Sequence, residues 1–84
     1  MIRTAKYIVG IFPGLDGGRL PQAILFPETL KHSDIASNLR INVISAGQVR
    51  VIGNRVQVFG ESISLGVRHR REDEDLVKDA IGYN

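Results

Sequence analysis

The sequence predicts an α+β domain in the order β-β-α-β-β-α, with a four-stranded, mainly antiparallel sheet and its two helices on one face. Three observations carry this. Residues 41–52 and 55–59 alternate apolar and polar around Gly53-Asn54, a dipeptide that tolerates the positive φ angles of a two-residue hairpin turn. Residues 6–12 and 22–26 are apolar runs on either side of a loop rich in glycine. Near the end of the chain, Leu76, Val77, Ala80 and Ile81 make one stripe at helical spacing.

Taken in order, residues 6–12 read as the first strand. The run Tyr7-Ile8-Val9 does not alternate, which suits a strand buried on both faces. Pro13-Gly14-Leu15-Asp16-Gly17-Gly18 is a loop, and residues 22–26 form a second strand stopped by Pro27, which has no N–H to donate. The two are expected to pair as a hairpin. Ser33 reads as the N-cap of a short helix with Asp34 in its first turn and Ile35 and Leu39 on one face. The third strand begins at Ile41. After Val67 four residues of basic character, Arg68-His69-Arg70-Arg71, precede Glu72-Asp73-Glu74-Asp75. Acids favour a helix N-terminus, so a helix is expected over 72–81, ended by Gly82.

The second hairpin can be registered from its turn. With Gly53 and Asn54 in the loop, Val51 faces Val56 and Val49 faces Val58. All four valines then share one face, and Arg50 and Gln57 share the other. The same register sets Gly47 opposite Gly60 and Ser45 opposite Ser62. Beyond that point the apolar positions change parity, to Ile63, Leu65 and Val67, so a β-bulge is expected near residues 60–62. Facing glycines make a waist without side chains. It is either a bend over a helix, with 72–81 as the cover, or a point where a partner's backbone comes close.

The 84 residues make one domain, 1–84. A core of this size supplies about 3–5 kcal/mol of net stability. The chain has no cysteine, hence no disulfide or thiolate metal site, and no tryptophan. Self-association is a common remedy, so a homodimer is expected. The formal charge of +2 is too small to argue for nucleic acid by itself. No stretch approaches a membrane span and no cleavable leader is evident, so the expectation is a cytoplasmic protein.

Motifs for chemistry are missing. The glycines around residue 14 fit neither phosphate-loop spacing, and Ser62 and Ser64 lack the Gly-x-Ser-x-Gly context. His32 and His69 have no metal-ligand spacing. The reading is therefore no enzyme, with no catalytic residue, cofactor or metal. The candidate interaction residues are Gly14 and Asp16 in the loop, Gly47, Gly60 and Glu61 at the waist, and Arg68, Arg70 and Arg71 at the basic strand end. The first expectation is a protein partner. The alternative is a nucleic-acid-binding protein using Arg50, Arg55, Arg68, Arg70 and Arg71, disfavoured because the adjoining acids would repel a phosphate backbone.

The strings Phe26-Pro27-Glu28, His32-Ser33-Asp34-Ile35-Ala36, Ser45-Ala46-Gly47 and Gly60-Glu61-Ser62-Ile63-Ser64-Leu65-Gly66 resemble those of small uncharacterised proteins encoded by phages and prophages. The resemblance spans roughly the last two-thirds of the chain. It implies a mobile-element setting, where small proteins often bind host or virion proteins.

Overall fold

A computed structural model describes residues 2–13 and 18–82. The elements are β1 (Ile2–Pro13), β2 (Arg19–Phe26), α1 (His32–Leu39), β3 (Val43–Ile52), β4 (Arg55–Phe59), β5 (Glu61–Ser62), β6 (Val67–Arg68) and α2 (Asp73–Ile81). Strands β1 to β4 form one antiparallel sheet in the order β2-β1-β3-β4. The α+β class and the element order match the expectation, with one small extra hairpin, β5–β6.

The non-alternating run explains the centre of the sheet. Tyr7, Ile8 and Val9 lie on β1, an inner strand, and all three are fully buried. The β3–β4 register is the expected one, Val51 opposite Val56 and Val49 opposite Val58. The β1–β2 hairpin forms as well, its ladder running from Lys6–Phe26 to Pro13–Arg19. Gly14 and Asp16 belong to 14–17, outside the described residues.

Successive strand residues point to opposite faces, and the core is accordingly split in two. On one face Tyr7, Val9, Val49, Val56 and Val58 pack with Val77 of α2. On the other, Ile8, Phe26 and Ala46 pack with Ile35 of α1 and with Leu65 and Val67 of the β5–β6 hairpin. The expectation of both helices on one face is therefore corrected. Tyr7 and Ile8 are adjacent and both buried, so each face of β1 needs its own cover.

The second correction concerns the long hairpin. β4 stops at Phe59, because Gly60 takes a φ of 75°, a conformation that glycine adopts without steric penalty. Residues 61–68 then fold back on themselves instead of continuing along β3, with Glu61 opposite Arg68 and Ser62 opposite Val67. The buried Ser62 anchors this turn. Its hydroxyl accepts the Leu65 N–H at 3.2 Å, and its carbonyl accepts the Gly66 N–H at 2.9 Å. Ile63 sits at the turn, 89% exposed, so the change of apolar parity marks a turn rather than a bulge. The sheet's register irregularity falls elsewhere: Val9 pairs with Ser45 and Gly10 with Val43, leaving Ile44 as the extra residue.

The first helix begins at His32, with Lys31 in the cap position, and Ser33 does not cap it. The reason is tertiary. The buried His32 ring meets Phe26 edge-on at 5.4 Å, and its Nε2–H donates to the Gly47 carbonyl at 2.9 Å. Among the described residues no helix is long and apolar enough to cross a membrane.

Candidate functional site

The polar centre of the molecule is Asp73, the first residue of α2, whose side chain is fully buried. Its Oδ2 accepts the Tyr7 hydroxyl at 2.7 Å and the Arg70 backbone N–H at 2.9 Å. Its Oδ1 accepts the Ser45 hydroxyl at 2.9 Å and two guanidinium N–H groups of Arg70 at 3.0 and 2.8 Å. The local part closes the turn that leads into α2. The Asp73 N–H donates to the Arg70 carbonyl at 3.0 Å while its carboxylate takes the Arg70 N–H in return. The long-range part ties α2 to β1 through Tyr7 and to β3 through Ser45.

Electrostatics follow from that geometry. Burial alone would push the Asp73 carboxyl up, but the bonds from Tyr7, the Arg70 backbone, Ser45 and the Arg70 guanidinium outweigh it and hold the group below its usual value. The Tyr7 phenol moves the other way, far above its usual value, first through burial and then through its bond to the Asp73 carboxylate and that group's charge. A carboxylate offers about four lone-pair sites, and five donors already occupy this one. It has neither access nor free acceptor capacity to act as a base on a substrate. The cluster is a clamp.

The glycine waist exists, and the chain itself fills it. A Cβ on Gly47 would lie 2.5 Å from the Phe59 carbonyl oxygen, 3.2 Å from the His69 Cβ and 3.4 Å from the Gly60 carbonyl oxygen. His69 closes the gap: its N–H and its Nδ1–H both donate to the Gly60 carbonyl, at 3.1 and 2.7 Å. The cover is thus the segment entering α2, not the helix itself.

The residues singled out from the sequence separate accordingly. Gly47 is buried, and Arg70 is engaged by Asp73 at 2.8 Å. Gly60, Glu61, Arg68 and Arg71 are exposed, and Glu61 and Arg68 face each other on the small hairpin. Sequence reasoning missed the Tyr7–Ser45–Asp73 cluster, because Asp73 reads as one of four acids in a solvated block. No local signal sets Asp73 apart from its neighbours, because its partners Tyr7 and Ser45 lie far away in sequence.

Among the described residues, two of the open surfaces matter most here. An apolar groove of about 560 Å³ runs between β2 and α2, lined by Leu20, Pro21, Ala23, Leu76 and Ala80, with Asp79 on its helical rim. On the far side of the sheet, the half not covered by α1 and the β5–β6 hairpin carries Lys6, Gln48 and Phe59 in one cross-strand row and Thr4, Arg50 and Gln57 in the next. Comparison with family models, with curated proteins and with solved structures returned no match.

Proposed function

We propose that this chain is a non-enzymatic protein–protein interaction module of the cytoplasm that works as a homodimer, in the phage-borne setting its sequence resemblance implies. The observation that carries the reading is the saturation of Asp73: the buried polar cluster among the described residues is spent on holding the fold. What is left for function is surface. The β2–α2 groove supports a second copy as its occupant. Leu20 on its rim is 53% exposed, in a small domain that gains by covering it. Across from it, Ala80 on the helix side is exposed as well. In a two-fold contact each surface meets its own copy, so the Leu20 rim of one chain can cover the Ala80 side of the other, twice.

Placing a charge in the groove tests this. Leu20→Glu and Ala80→Glu should each weaken dimerisation in a sedimentation series. Wild-type association in both variants would remove the groove from the interface.

A further inference from the structure

We infer that the bare half of the sheet, on the side away from α2, binds single-stranded nucleic acid. Because Val49, Val51, Val56 and Val58 point to α2, the alternate residues Gln48, Arg50, Ile52, Arg55, Gln57 and Phe59 point the other way. The register places Lys6, Gln48 and Phe59 side by side across three strands, then Thr4, Arg50 and Gln57, then Ile52 and Arg55. These rows hold three cations, three side chains able to hydrogen-bond a base edge, and no carboxylate. Thr4, Ile52, Arg55 and Gln57 are exposed, and the others half-buried.

One contact makes the surface a stacking platform. The Arg50 guanidinium lies over the Phe59 ring, 5.0 Å from its centroid. An aromatic ring and a planar guanidinium are the groups on which unpaired bases stack, whatever their sequence. A flat sheet suits splayed bases, whereas entry into a duplex groove needs a protruding element. The acids that disfavour nucleic acid in a linear reading do not face this surface. Glu72, Glu74, Asp75 and Asp79 belong to the start and body of α2, across the sheet from Arg50 and Arg55. The acids on this side of the sheet are Asp34 on α1 and Glu61 on the β5–β6 hairpin, the elements that cover its other half.

The test is fluorescence anisotropy of the full chain with labelled oligo-dT and oligo-rU of about twelve nucleotides, a duplex of equal length, and poly-glutamate. Saturable binding of the single strands is expected, tighter than of the duplex. Its log-log salt slope should be about −2, from ~0.7 per cation over three cations. Arg50→Gln and Arg55→Gln should each reduce that slope by ~0.7, and Phe59→Leu should weaken binding about fivefold or more. Lys78→Gln, on α2, should change nothing. Circular dichroism confirms that each variant is folded, and Arg55, being exposed, supplies a variant that leaves the core untouched. Three results would overturn the inference: no saturable binding of either oligonucleotide at low salt, binding unaffected by Arg55→Gln, or poly-glutamate bound as tightly as the single strands. The last would make the face a site for acidic proteins.

Discussion

Tyr7 donates its phenolic hydrogen to Asp73 at 2.7 Å, joining the central strand to the last helix across 66 residues of sequence. Neither group is exposed to solvent, and no buried side-chain polar atom among the described residues lacks a partner. α2 has nine residues, too few to be stable alone, so it depends on this bond, on Ser45 and on the burial of Val77.

Tyr7→Phe keeps the ring and removes only the donor. It is expected to lower stability by about 1.5–3 kcal/mol, the usual contribution of a hydrogen bond to a charged group. Urea unfolding reads this directly. Because a domain this size has only about 3–5 kcal/mol in hand, the shift in midpoint should be large.

The clamp also sets a pH window. The Asp73 carboxyl is depressed in the folded state, so its contribution is present above the ordinary value of 3.8 and is lost as pH falls below it. The Tyr7 phenol is raised above 10.0, so its contribution is present below that value and is lost as pH rises beyond it. Thermal melts across pH should show a plateau that falls at both ends. Asp73→Asn should flatten the acid limb, and Tyr7→Phe the alkaline one.

At the waist, the two glycines should respond differently to alanine. Gly47→Ala drives a methyl into the Phe59 carbonyl, which is backbone and cannot step aside, so a loss of about 1–3 kcal/mol is expected. Gly60→Ala meets only the movable Gln48 side chain, but its φ of 75° adds about 1–2 kcal/mol of strain. Urea midpoints of the two variants, each beside wild type, measure both effects.

Ile63 provides a contrast. Ile63→Ser should leave the melting temperature unchanged within error, because the side chain is 89% exposed at its turn and joins neither core cluster. A substantial loss would mean that Ile63 is covered in solution.

The sequence was most informative where two local signals agreed. Gly53-Asn54 and the four valines fixed the β3–β4 register independently, and the structure has that register. Tyr7-Ile8-Val9 likewise marked a strand buried on both faces. That run already required cover on both sides of the sheet, which an arrangement with both helices on one face cannot provide. Other features depended on contacts far apart in sequence. His32 starts α1 because of Phe26 and Gly47, and Asp73 is buried because Tyr7 and Ser45 lie beneath it. Local pattern contains neither partner. The separation of Arg50 and Arg55 from the acids of α2 was hidden for the same reason, since distance along the chain does not report which face of a sheet a residue occupies.

The central claim is that the polar cluster holds the fold while the open groove pairs two copies. Light scattering over a concentration series, on wild type and Leu20→Glu, tests it most directly. The account predicts a wild-type mass that rises from monomer to dimer, and a Leu20→Glu protein that stays monomeric with an unchanged circular dichroism spectrum. A wild type that remains monomeric at every concentration, or a Leu20→Glu protein that associates equally well, would contradict it.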